Sequence, residues 1–290
     1  MKIANLVGIC LSSTMALPPA EAGTYWAKQY GTSQWEGLST ALQTNDGGFI
    51  AGGAAYDAKT DRQYAWVMKL GASGSVIWQN RFGSKTHTLG VAAVLPMADN
   101  GFFVFGNATL LPDQDEVSHY FIKLDSNGKI KVQKSVKVNG LSMLTWAGRQ
   151  TSDGGCIVTG QMMDSANDNY VTGYVMKIQP AGTLEWFREY DNGRGCGFFM
   201  GDQAPDVGYI VAGYLAASSR ENDVDAWLIK TDASGNIHWQ KRYGARVGFD
   251  LFASARPTTD GGYIAAGMYA YNGDATNAGC GSAALGLGLS

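Results

Sequence analysis

Along this chain apolar side chains recur at every second position in runs of six to eight residues, and each run ends in a cluster of glycine, asparagine, aspartate or serine. That two-residue period, cut by turn chemistry, predicts short antiparallel strands rather than helices. The first unit shows the order. A strand over 39–44 leads into Asn45-Asp46-Gly47-Gly48, a tight hairpin, and a second strand follows over 49–54. A polar loop precedes a third strand over 64–70, where Trp66 and Met68 alternate with Val67 and Lys69. Gly71-Ala72-Ser73-Gly74 then turns the chain into a fourth strand that carries Trp78.

This unit repeats five times. Its hairpin aspartates are Asp46, Asp99, Asp153, Asp206 and Asp260, spaced 53, 54, 53 and 54 residues apart. Each is followed two residues on by a glycine (Gly48, Gly101, Gly155, Gly208, Gly262) and seven on by another (Gly53, Gly106, Gly160, Gly213, Gly267). A second ladder runs Lys69, Lys123, Lys177, Lys230, each three residues after an aromatic. A third runs Trp26, Trp78, Val132, Trp186, Trp239. Four-stranded units of this length cannot bury both faces alone, and stacking them radially solves the problem. The expected fold is therefore all-β: a β-propeller of five four-stranded blades.

The chain opens with an extra fourth-strand pattern over 24–30 and ends before a fifth fourth strand. The N-terminal strand is therefore expected to complete the last blade and close the ring. That closure requires the glycine-rich segment 282–289 to serve as the fifth third strand, so the last blade is either degenerate or truncated.

Composition narrows the function. Charged residues make up 16% of the chain and the net charge is −3, with no run of like charges, which excludes the electrostatic footprint of a nucleic-acid binder. Lys2, the apolar stretch from Ile3 to Leu17 and Ala20-Glu21-Ala22 read as a signal peptide over 1–22, too short for a membrane span. The remaining 23–290 is expected to be one exported domain, periplasmic or extracellular. Of its cysteines, Cys156, Cys196 and Cys280, at most one pair can bridge. His87, His119 and His238 share no zinc spacing.

The run Leu228-Ile-Lys-Thr-Asp232-Ala-Ser-Gly235-Asn-Ile-His-Trp239 resembles the tryptophan-docking motif of quinoprotein alcohol dehydrogenase-like propellers. The Asp-Gly-Gly-Tyr-Ile strands resemble those of secreted bacterial repeat propellers. Quinoprotein enzymes of that superfamily have eight blades, a longer turn and an adjacent cysteine pair beneath pyrroloquinoline quinone. The five units here, their shorter turn and the absence of adjacent cysteines imply a non-catalytic member without that cofactor.

Propellers bind ligands on the face bearing the loops from fourth to first strand and from second to third strand. Four of the latter loops carry paired carboxylates, of which Asp223 and Asp225 are candidates for calcium with carbonyl or water help, or alternatively cap their own turns. At the start of the first strands, Glu36 and Asp250 are acidic and would be neighbours in a closed ring. Such a pair suits glycoside hydrolysis, or serves as loop caps inherited from the repeat. Trp35 and Trp146 lie off the tryptophan ladder and suit stacking on a sugar face, or packing between blades. Arg194 and Arg246 stand on the same rim and suit a polar or anionic ligand. The expected role is a binding or scaffold module for carbohydrate or a partner protein, with hydrolase and structural surface or matrix roles as alternatives.

Overall fold

A computed structural model describes residues 27–111, 117–136, 141–164, 170–217, 223–244 and 248–269, and the backbone of 281–287. The segment 1–22, Trp26, Arg246 and Cys280 lie outside the described residues. Every regular element is a β-strand, and among the described residues no helix is long and apolar enough to cross a membrane.

Each repeat folds into one antiparallel meander. The first holds β1 (Glu36–Gln43), β2 (Phe49–Asp57), β3 (Arg62–Leu70) and β4 (Val76–Phe82), paired in chain order. The second holds β5 (His87–Pro96), β6 (Phe102–Leu110), β7 (Val117–Leu124) and β8 (Ile130–Val136). The third holds β9 (Leu141–Gln150), β10 (Cys156–Asp164), β11 (Tyr170–Ile178) and β12 (Leu184–Tyr190). The fourth holds β13 (Cys196–Gln203), β14 (Tyr209–Ala216), β15 (Val224–Thr231) and β16 (Ile237–Tyr243). The fifth has three strands, β17 (Leu251–Pro257), β18 (Tyr263–Tyr269) and β19 (Gly281–Leu287).

The sheets pack face to face in sequence, because alternate residues of their middle strands are apolar on both faces. Ile50, Ala65 and Val67 meet Val91, Val94 and Val104 between the first and second sheets. Phe103, Phe105 and Phe121 meet Met143, Val158 and Met176 between the second and third. Ile157 and Val175 meet Phe198 and Val211, and Leu228 meets Phe252, at the next two junctions. The first strands β1, β5, β9, β13 and β17 pack side by side, each against the next, while the fourth strands form the opposite sheet edges. The first strands are thus innermost.

Two repeated devices link strands and sheets. Four of the five hairpin aspartates receive the lysine of their own third strand: Asp46 with Lys69 (2.9 Å), Asp99 with Lys123 (2.9 Å), Asp153 with Lys177 (2.7 Å) and Asp206 with Lys230 (2.8 Å). The fourth strand of one sheet then docks on the turn of the next. Trp78 Nε1 donates to the Ser126 carbonyl at 3.0 Å, and Trp186 Nε1 to that of Ala233 at 3.1 Å. Tyr190 likewise donates its hydroxyl to the Gly235 carbonyl at 2.6 Å.

The glycine seven residues after each hairpin aspartate has a steric cause. A Cβ at Gly53, Gly106, Gly160, Gly213 or Gly267 would lie 1.8–2.1 Å from a first-strand carbonyl oxygen, so no larger residue fits.

The expected third strand of the last unit forms as β19, paired along β18. Of the expected N-terminal strand over 24–30, residues 27–30 adopt no strand, and 24–26 lie outside the described residues. The edge it would join is Gly281-Ser-Ala-Ala-Leu-Gly-Leu, which brings neither an aromatic nor a lysine to hold a fourth strand. Tyr30 is anchored on the first sheet. Its hydroxyl donates to the Gly74 carbonyl at 2.7 Å, and its ring packs on the cluster of Ala51, Ala55, Trp66, Met68 and Leu70.

Candidate functional site

All five innermost strands carry a β-bulge at the same place, leaving Ser39, Ala92, Trp146, Phe199 and Ala253 out of register with the second strand. A bulge bends its strand and re-aims one side chain, a device common beside binding sites. Two of these five residues are aromatic and adjacent: the Trp146 and Phe199 rings lie 5.6 Å apart at 58°, and Phe199 in turn contacts Tyr214 at 5.7 Å. Trp146 is nevertheless 45% exposed. It opens onto a cavity of about 320 Å³ lined by Ser39, Thr40, Leu42, Leu95, Arg149 and Met200 among others.

Arg149 is the charged group of this cavity. One guanidinium nitrogen approaches the Met200 thioether at 3.5 Å, and Ser254 also points its hydroxyl at that sulfur, at 3.0 Å. Arg149 Nε is buried with no hydrogen-bond acceptor. Burial draws the guanidinium below its ordinary value; the Arg256 charge adds to this, and Asp202 works in the opposite sense. An aromatic face, a cationic fork and two hydroxyls around one hollow can hold a ring that carries polar substituents.

The structure brings Trp146 to this cavity, and the other described sequence candidates are not among its lining residues. Trp35 is 61% exposed in the loop before β1. Glu36 is fully engaged: it accepts from Thr32 N at 2.6 Å and Thr32 Oγ1 at 2.8 Å, and pairs with Arg81 at 2.9 Å. The Thr32 amide, helped by the Arg81 charge against some desolvation, holds its carboxyl below the usual range. Asp250 is buried, and its amide donates to the Val224 carbonyl at 2.8 Å on the fourth sheet. There it shares an electrostatic neighbourhood with Asp223 and Asp225. Burial raises the Asp225 carboxyl while Arg242, at 2.5 Å, pulls it back. Among the described residues no group of histidines, cysteines or carboxylates is disposed to hold a metal ion. Arg194 is exposed and donates to the Ala217 carbonyl at 3.3 Å, tying two loops of the fourth sheet. Cys156 and Cys196 are both buried free thiols.

Sequence reasoning missed Phe199 and Arg149. Phe199 had a legible signal, since it lies 53 residues after Trp146 and so shares its place in the repeat. Arg149 had a weaker one, because only the bulge and the packing of neighbouring inner strands show what it faces.

No family model matches the chain, and no curated protein matches it. Solved structures similar to it include the following, all at low identity. A protein from Bifidobacterium bifidum s17 described as a candidate exo-β-1,3-galactanase has 11% identity and a TM-score of 0.41, over 81% of this chain and 82% of its own. Sqt1 from Chaetomium thermophilum has 11% identity and a TM-score of 0.34, over 81% and 80%. A eukaryotic initiation factor has 9% identity and a TM-score of 0.32, over 74% of this chain and 56% of its own.

Proposed function

We propose that this chain is a non-catalytic five-bladed β-propeller whose N-terminal segment completes the ring. In this reading it is an exported module that binds carbohydrate at its inner strands, in the manner of the scaffold members of the quinoprotein-like superfamily. The observation that carries the binding role is Trp146, a large apolar ring left half open on a polar-lined cavity, since a ring placed only for packing would be covered. The engagement of Glu36 by three donors supports binding over hydrolysis, because a general acid needs a carboxyl that keeps its proton near neutral pH. Ring closure is supported by Tyr30, which lies on the first sheet's outward cluster as Tyr190 lies on the fourth. The tryptophan contacts between successive sheets support the superfamily reading.

Trp146→Ala tests it. In a saccharide panel followed by calorimetry, the wild-type chain binds at least one oligosaccharide without turning it over, and the variant loses about tenfold or more in affinity at an unchanged melting temperature. Hydrolysis of the bound sugar, abolished by Glu36→Gln, would replace this reading with a glycosidase.

A further inference from the structure

The position three residues after each inner-strand bulge is filled by Leu42, Leu95, Arg149, Asp202 and Arg256, one from each sheet. All five pair with the equivalent second-strand residue (Ile50, Phe103, Ile157, Ile210, Ile264), so they occupy one level of the stack. Two leucines occupy this level in the first two sheets. The next three sheets supply two arginines and a single aspartate between them, and both Arg256 and Asp202 act electrostatically on Arg149. One positive charge at this level is left uncompensated, at the wall of the cavity that Trp146 opens onto.

An arginine presents five donors in a planar fork that matches a carboxylate. Arg149 spends one of its nitrogens on a thioether sulfur, a weak acceptor, and its Nε has no acceptor at all. The fold therefore leaves part of the fork without a strong acceptor, at the wall of the cavity. Leu42 and Leu95 give the same hollow an apolar wall, and the Trp146 face lies within it. A ring with one apolar face and one carboxylate meets all of these features.

From this juxtaposition we infer that the inner cavity selects acidic sugars: a uronate ring stacks on Trp146 and places its carboxylate on Arg149, with Arg256 adding long-range attraction. The inference deepens the carbohydrate-binding reading and rests on it. An extended acidic peptide would meet the arginines but leave the stacking face unexplained.

Calorimetry on the full chain with an oligogalacturonate, its methyl ester and a polyglutamate peptide tests it. The acid form binds about tenfold or more tightly than the ester, the difference shrinks with added salt, and Arg149→Gln removes it. Arg256→Gln, an exposed change that leaves the core intact, weakens the acid form a few-fold and the ester not at all. Arg149→Lys keeps the charge, loses the fork and recovers only part of the preference. Equal binding of acid and ester, unchanged in Arg149→Gln but lost in Trp146→Ala, overturns the acidic selectivity and leaves carbohydrate binding standing. Binding of polyglutamate in preference to both sugars overturns it in favour of a peptide ligand. Binding of none by a cooperatively folded chain, together with failure of neutral sugars, overturns both readings.

Discussion

At the scale of single residues, the repeated aspartate and lysine act as a pair. In the fourth sheet Lys230 is buried, donates to Asp206 and to the Thr231 carbonyl, and holds the carboxylate below its usual range. In the third, burial works to raise Asp153, but hydrogen bonds from Lys177, Thr151 and Gly155 outweigh it and bring the carboxyl down to about 2. Asp206→Asn should cost about 1–2 kcal/mol in urea unfolding, a figure reduced because the carboxylate side is solvent-facing. Asp260→Asn should cost clearly less, since Gly286 stands where its lysine would be. A folded-state value below the unfolded one means that the aspartates stabilise the fold fully above about pH 4, and that this stability is lost as pH falls toward about 2. His119 works in a different window. Fully buried, it is pushed down to about 3 by desolvation, so the unfolded chain takes up its proton first as pH falls below about 6.5. Stability should therefore decline between about pH 6.5 and 4, before the aspartates respond, as denaturant midpoints at stepped pH would show.

At the scale of elements, His119 marks an exchange of size between facing strands. The equivalent third-strand positions are Ala65, Gly173 and Ala226; the facing inner strand presents Val91 to the first and a phenylalanine, Phe198 or Phe252, to the other two. A Cβ on Gly173 would lie 2.7 Å from the Phe198 ring. Between the second and third sheets the sizes are reversed: the large His119 faces Thr145, whose hydroxyl bonds the imidazole and also the Tyr174 hydroxyl at 2.8 Å. His119→Ala alone should destabilise by about 2–4 kcal/mol through the cavity it leaves. Adding Thr145→Phe recreates the pairing of the other junctions and should recover at least half of that loss, with the decline between pH 6.5 and 4 removed. Additive losses in the double-mutant cycle would show that the two positions do not compensate each other.

For the whole molecule, the N-terminal segment is the piece that the repeat count leaves over. Tyr30 covers the one face of the first sheet that no following sheet packs on, joining Ala51, Ala55, Trp66, Met68 and Leu70. Removing residues 1–34 should lower the melting temperature by several degrees and expose dye-binding apolar surface, whereas Tyr30→Phe, losing only the bond to Gly74, should cost about 1 kcal/mol. A deletion that melts like the full chain would detach the segment from ring closure.

The all-β class, the repeat and the order of its strands were legible because a two-residue period and turn glycines are local properties, written five times over; the strand ends were not, since β1 starts three residues before the expected 39 and β2 runs three past the expected 54. Even Gly53 and its counterparts were visible, although the carbonyl that requires them was not. Trp146 was identifiable as an aromatic outside the ladders. What the tertiary structure alone decided is which groups meet across long separations. Glu36 took Thr32 and Arg81 as partners, the latter 45 residues along the chain, because a carboxylate is held by the amide, hydroxyl and guanidinium donors that the fold delivers to it. Arg149, Asp202 and Arg256 became one level because three bulges bend three inner strands alike, and spacing along the chain carries no record of the direction in which a side chain is aimed.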